Sequence, residues 1–349
     1  MSNVKQKKHE MEFYLEKDFR NVKKIDMHLH VNTDELSLIE QALEDNFKIL
    51  TINVDYPAFP PVEKQLNIAT SLSKRYPDIL AFATTFYMEG WDDPGWQKKT
   101  IKYIEEKIQL GACAIKIWKN IGMDFRDNNG NLIMIDHPKF DSIFKAIKEL
   151  GVPLIGHLGE PKDCWLPVNE MIVNYVRDYF TQHPEYHMYA HPELPSYEDQ
   201  INARDKMLEK NMDIFFVGAH FASLEWSVDE LAKFLDRFPI AYVDSAARMG
   251  EIQYQTIYDR DKVRDFFIKY QDRIMYATDT FQEPGLDKEN FQLEVHNKWL
   301  SDWKFFTDDD TMTVKDLNSS FIGLKLPKQV VDKIYRTNAL KIFSSAWKL

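Results

Sequence analysis

The sequence predicts a (β/α)8 barrel, on three observations: short apolar strands recur eight times, each pair is separated by a helical pattern, and no Gly-x-Gly-x-x-Gly follows any strand. Buried strands in strict alternation with helices imply parallel pairing through right-handed crossovers. A length of 349 residues suits one such barrel with long loops. The doubly wound open sheet is the alternative, and it lacks the glycine-rich first turn expected of a nucleotide site. Residues 1–23 read as a charged N-terminal arm and residues 24–349 as a single barrel domain, with no repeat or low-complexity linker dividing it.

The first strand is KIDMHLH, residues 24–30, and a helix over 34–46 follows, with Leu36, Ile39, Leu43 and Phe47 at helical spacing. The second strand is ILTINV (49–54). A proline-rich turn leads to a helix ending near Arg75, and then to the third strand, ILAFATTF (79–86). A helix over 97–110 precedes ACAIKIW (112–118), and a helix from Pro138 to Gly151 precedes VPLIGH (152–157). The sixth, seventh and eighth strands are DIFFVGAH (213–220), IAYVDS (240–245) and RIMYATD (273–279). A closing helix occupies 327–343. Two connections are long, 158–211 and 280–325. Both follow strand C-termini, where barrel loops form the walls of an active site.

Composition narrows the function classes. An apolar content of 44%, with 13% aromatic residues, supports a large buried core, and a formal charge of −11 argues against nucleic acid or anionic membranes as partners. The cysteines, Cys113 and Cys164, have no metal-ligand spacing and suit a reducing compartment. No apolar run reaches the ~18 residues of a membrane span, and the N-terminus has no apolar signal core. The expectation is a cytoplasmic globular protein.

The polar residues carry the functional signal. In an extended strand alternate side chains share a face, so His28 and His30 project together, and two converging imidazoles can hold a divalent ion. His157, His220 and Asp279 end the fifth, sixth and eighth strands, so all five polar residues map to one rim of a parallel barrel. Lys116, on the fourth strand, reads as a cation for an acidic substrate group, with a structural salt bridge as the alternative. Lys119 reads as solvated surface. Arg248, just past the seventh strand, is a candidate anion clamp or an ion-pair partner of Asp244. Glu160, three residues beyond His157, is placed to support that histidine or to touch substrate. His191, in the long connection, is a candidate substrate contact from a lid. Trp118, Trp165 and Phe221 flank strand ends as candidate apolar walls, although packing alone would account for each.

IDMHLH at the first strand, GAH at the sixth, YATD at the eighth and the terminal TNALKIF resemble, in order and over nearly the full length, the amidohydrolase superfamily. The resemblance is to the amidohydrolase-related branch that includes aminocarboxymuconate semialdehyde decarboxylase. It implies that His28, His30, His157 and Asp279 are metal ligands and that His220 is the neighbouring acid/base. It also implies one divalent ion, zinc by preference, with manganese or another ion as the alternative. Such an ion lowers the pKa of a bound water from 15.7 towards ~7 and makes hydroxide available at neutral pH. Lys116 occupies the strand where other branches carry a carboxylated lysine between two metals, but the accompanying binuclear pattern is absent.

The expected function is therefore metal-dependent hydrolysis of a C–N or C–O bond in a small, carboxylate-bearing molecule. Non-oxidative decarboxylation of an aromatic or muconate-like acid uses the same residues and is the alternative reaction. A non-catalytic ligand-binding barrel is the alternative outside enzymology. The expected partner is an anionic small molecule, with a homodimer as the assembly.

Overall fold

The computed structural model describes residues 12–347. The expected N-terminal arm therefore lies partly outside the described residues. Its described part forms a short turn, from which the buried Phe19 packs at the base of the first strand, in edge contact with Trp303.

Eight strands line up in parallel: β1 (Lys24–Val31), β2 (Phe47–Ile52), β3 (Leu80–Ala83), β4 (Ile115–Ile117), β5 (Leu154–Gly156), β6 (Phe216–Gly218), β7 (Tyr242–Asp244) and β8 (Ile274–Met275). Strands β1–β3 form one run of pairings and β4–β8 another. Backbone bonds join the two runs at both seams. Cys113 N donates to Phe82 O at 2.9 Å and Thr84 N to Ala114 O at 3.1 Å. On the other side Met27 N donates to Tyr276 O at 3.2 Å and Asp279 N to His28 O at 2.8 Å. A ninth short strand, β9 (Phe281–Gln282), extends the β8 side of the ring along the end of β1. The barrel expected from the sequence is thus the architecture found.

Strand ends differ from expectation because the pairing stops sooner than the apolar pattern does. The expected eighth strand narrows to Ile274–Met275, and the chain beyond it turns to bond β1 through Asp279 and Thr280 instead of continuing straight. The first helix shortens to Ser37–Glu44, and Asn46 after it adopts a left-handed φ of 60°. The closing helix is continuous but passes through a π turn over Lys333–Thr337.

The core has two layers. Ile25, Met27, Leu50, Ile52, Ala83, Ile155, Val217 and Met275 pack together on one face of the strands, closed below by Ile342, Phe343 and Trp347. Leu29, Phe47, Ile49, Leu154, Phe216 and Ile274 face the surrounding helices. Strict alternation along β1 would put His28 with Asp26, on the outer face. A bulge between Asp26 and Leu29 resets the phase, so Met27 and His28 both serve the inner side.

Asp26 stays outside and fully buried. It accepts from Thr278 Oγ1 at 2.6 Å, Thr278 N at 3.1 Å and Trp299 Nε1 at 2.9 Å, which ties β1 to the chain after β8 and to the helix Lys288–Thr307. Burial pushes its carboxyl up to about 6, against the opposing pull of these donors. Trp299 also stacks on Phe47, with ring centroids 4.1 Å apart. Trp299→Phe keeps most of the stacking but strips one donor from a buried carboxyl. It is expected to lower stability by about 1–3 kcal/mol in urea unfolding; an unchanged midpoint would mean the Asp26 bond contributes nothing.

Candidate active site

The rim at the C-terminal ends of the strands is lined by His28, His30, Lys116, His157, His220, Arg248 and Asp279, in a cavity of about 530 Å³. Each histidine is oriented from behind. His28 Nδ1 lies 2.9 Å from Asp244 Oδ2, His30 Nδ1 2.7 Å from Ile52 O, and His220 Nδ1 2.9 Å from Ala246 O. Carboxylate and carbonyl oxygens only accept, so each Nδ1 carries a proton, and in the neutral rings of His28 and His220 Nε2 presents a lone pair. The His220 Nε2 lone pair faces His157 Nδ1 at 3.2 Å, which makes His157 Nδ1 the donor and leaves its Nε2 as the lone pair. That Nε2 is buried with no hydrogen-bond partner.

Asp279 closes the group. Its Oδ1 lies 3.5 Å from His28 Nε2 and 3.3 Å from His30 Nε2. Ligand atoms of His28, His220 and Asp279 all lie within 4.8 Å of one another. His30 is one contact away through Asp279, and His157 one contact away through His220. All five residues line the same cavity, and of them His28, His220 and Asp279 bring ligand atoms within 4.8 Å of one another.

The backbone that presents them is unusual. His220, Phe221, Ala222 and Ser223 have φ of 57°, 52°, 55° and 56°, four successive non-glycine residues in the left-handed region, and Ala247 and Asp279 join them at 54° and 63°. Each such residue costs roughly 1–2 kcal/mol. The turn after β6 is held by His220 N donating to Asp244 Oδ1 at 2.8 Å and by the buried Arg204 guanidinium donating to Ala222 O. It also requires Gly218, since a Cβ there would stand 2.4 Å from Ala222 Cβ.

Burial dominates the electrostatics. Desolvation holds His157 and His220 well below the usual imidazole range, with nearby positive charges adding to the effect, and it lowers His28 in the same way. These rings are neutral at neutral pH. For Asp279 burial alone would raise the carboxyl. The imidazoles of His220, His30 and His28 outweigh it and hold Asp279 well below the usual carboxylate range. Lys116 is pushed down to about 8 by burial, and its Nζ lies 3.2 Å from His28 Nε2.

The remaining expected residues divide. Lys116 lines the cavity with its ammonium turned onto His28. Arg248 lines it as well, and the alternative pairing with Asp244 is not made, because Asp244 is engaged by His28, His220 and Ala246. Glu160 lines the cavity and lies 3.9 Å from His157 Nε2. Lys119, expected as solvated surface, is instead mostly buried and ion-paired with Glu160 at the cavity wall, with burial lowering it to about 8. His191 is outside the cavity lining. Its ring is occupied by Glu193 Oε1 and Pro184 O, both at 3.2 Å, because the 3-10 turns around it fold it back on its own loop. Trp118 lines the cavity; Trp165 packs on Tyr197, and Phe221 is buried against Phe267.

Asp244, Tyr175, Tyr179 and Glu283 were not anticipated. Asp244 carried a signal, since it ends a strand as the other rim residues do. The tyrosines sit on the helix Asn174–Gln182, inside a connection whose path over the barrel no local pattern specifies. Among the described residues no helix is long and apolar enough to cross a membrane.

No curated protein matches the chain by sequence. Among solved structures it resembles an amidohydrolase II, at 14% identity and a TM-score of 0.51, over 92% of this chain and 100% of that one. It also resembles a candidate 2-pyrone-4,6-dicarboxylic acid hydrolase from Pseudomonas putida, at 12% identity and 0.49 over 93% and 99%. A third is a 5-carboxyvanillate decarboxylase from Sphingomonas paucimobilis, at 12% identity and 0.47 over 92% and 99%. At 14% identity the likeness to the amidohydrolase II is one of fold. The amidohydrolase family model, by contrast, matches the sequence itself across residues 25–344, from the strand bearing the histidine pair to the closing helix. The chain belongs to the amidohydrolase family.

Proposed function

We propose that this chain is a metal-dependent hydrolase that cleaves a C–N or C–O bond of a small, carboxylate-bearing substrate, with one divalent ion held by His28, His30, His157 and Asp279. The observation that carries the reading is the grouping of donor atoms at the rim: ligand atoms of His28, His220 and Asp279 lie within 4.8 Å of one another, His30 Nε2 lies 3.3 Å from the same ionised carboxylate, and Nδ1 of His28 and His30 is committed to a protein acceptor. The unpartnered, buried Nε2 of His157 is the kind of atom a cation satisfies. At His28 Nε2 the present donor is Lys116. Zinc suits this donor set best, and manganese is the alternative.

When bound, the ion supplies Lewis acidity and lowers the pKa of a water to about 7. The chain supplies the rest. Asp279, ionised and part-exposed, takes the proton of the attacking water. The proton taken by Asp279 returns to the leaving group, and His220, neutral with Nδ1–H fixed on Ala246 O, offers a lone pair at Nε2 that accepts a proton rather than donating one. Arg248 and Lys116 hold the substrate's acidic group, and Glu160 fixes Lys119 at the wall.

The test is metal analysis of the purified protein together with hydrolysis of small carboxylate-bearing esters, amides and lactones, before and after chelation. One divalent ion per chain and a loss of at least roughly 100-fold on chelation, restored by zinc or manganese, are expected. Metal-free protein whose turnover ignores chelators would defeat the proposal. Carbon dioxide release from aromatic acids, with no hydrolysis, would reassign the same residues to decarboxylation.

A further inference from the structure

The two runs of strands bring different charges to the cavity. From the β4–β8 run come Lys116 on β4, Lys119 after it and Arg248 after β7, with Glu160 committed to Lys119. From the run that joins β3, β2, β1 and β9 come Tyr56 and Phe59 after β2, Phe281 on β9 and Glu283 just past it. Among the described residues no lysine or arginine lines the cavity from that second side.

Glu283 is held in place there. Phe281 and Glu283 both line the cavity, while Gln282 between them turns away and is buried. Its amide donates to Glu35 O at 3.2 Å and accepts from Leu38 N at 3.4 Å. Glu283 Oε1 accepts from Nδ2 of Asn32 at 2.6 Å, and Asn32, one residue beyond β1, is itself buried. The other acids of the lining face ionisable partners: Glu160 has Lys119, and Asp279 has His28 and His30. Glu283 has a neutral amide, and no cationic side chain pairs with it among the described residues. The rings beside it meet at steep angles. Phe59 lies 6.2 Å from Phe281 at 49° and 5.1 Å from Tyr56 at 78°, and Tyr56 lies 5.2 Å from Trp118 at 53°. Rings so inclined form successive walls, and the face of each is the negative part of its quadrupole. A carboxylate set among aromatic faces is the chemistry that recognises an organic cation.

We propose that Glu283, with Tyr56, Phe59 and Phe281, binds an ammonium group of the substrate, on the side of the cavity opposite the cations of β4 and the β7 loop. The inference rests on the reading of the rim as a substrate site and narrows the substrate class to amino-carboxylic compounds. A carboxylate and ring faces replace the hydration that an ammonium loses on entry, and a neutral group of the same shape gains less from either. Glu283 is thus a specificity residue that the sequence did not single out. A Glu283 that served only to hold Asn32 would not tell the two groups apart.

The experiment is a calorimetric titration of the purified full-length chain, at neutral pH, with benzylammonium and with benzyl alcohol as its neutral counterpart. Benzylammonium is expected to bind at least roughly tenfold more tightly than benzyl alcohol. Glu283→Gln, which keeps an acceptor for Asn32, should reduce that preference to about twofold or less. Phe281→Leu, at an exposed ring, should weaken benzylammonium several-fold and benzyl alcohol less. Equal affinities in the wild-type chain, or no benzylammonium binding, overturn the proposal. So does an undiminished preference in a folded Glu283→Gln protein, which would move the cation to Asp279. The readout is binding, so these results stand apart from turnover. An ammonium preference without any hydrolysis removes the hydrolase reading alone, and hydrolysis without an ammonium preference removes this inference alone.

Discussion

Asp279→Asn is expected to lower hydrolysis by roughly 10³-fold, to reduce the divalent-ion content of the purified protein, and to lower the unfolding midpoint at neutral pH, where the ionised carboxyl contributes stability that asparagine cannot. Asparagine preserves the side-chain shape and the backbone bond from residue 279 N to His28 O, so the left-handed turn at 279 has no new reason to open. What disappears is the negative charge that faces His28 and His30 at 3.5 and 3.3 Å. That charge persists because neighbouring imidazoles outweigh the cost of burial. The sign of the pH effect follows. A carboxyl held below its ordinary value of 3.8 contributes stability that is fully present above that value and is lost only as pH falls through the lower, folded-state value. The wild-type protein should therefore lose more stability than Asp279→Asn between pH 4 and strongly acidic solution. Metal content and turnover both near wild type in the variant would remove Asp279 from the site.

The barrel could be read from the chain because each strand is an apolar run with a polar residue at its end, and that ending is the rim of the site. His28, His30, His157, His220 and Asp279 were visible for this reason, and all five line one cavity. What could not be read depends on interactions between distant segments. The bulge in β1 turns His28 inward, yet nothing in KIDMHLH distinguishes a bulged strand from a regular one. Four successive left-handed residues after β6 contradict local propensity and persist only through Asp244 and Arg204, which arrive from elsewhere in the chain. Lys119 was assigned to solvent because it follows a strand end. Its burial comes from Glu160 on the next loop and from the excursion packed above it. His191 erred the other way, since a histidine in a long connection has no sequence mark of whether the loop folds over the site or back on itself.

The adjoining histidines of β5 and β6 separate by substitution. His157→Asn is expected to cost the protein its metal, and turnover with it, whereas His220→Asn should retain the metal and lose turnover by roughly 10²- to 10⁴-fold. The distinction comes from the shared proton. His157 donates through Nδ1 to His220 Nε2 at 3.2 Å and keeps a buried lone pair at Nε2 that no protein group uses. His220 has its Nδ1 proton fixed on Ala246 O and its backbone N–H on Asp244, so Nε2 is its exchangeable face, and at neutral pH it is uncharged and able to accept a proton. A ring with one fixed and one exchangeable nitrogen suits proton transfer, and a ring with an unclaimed lone pair suits a ligand. The geometry also contains the opposing case, because His220 is the ring grouped within 4.8 Å of both His28 and Asp279. Metal analysis of the two variants decides between them. Loss of the ion from His220→Asn with full occupancy in His157→Asn would exchange the two roles, and loss from neither would leave His28, His30 and Asp279 to hold the ion by themselves.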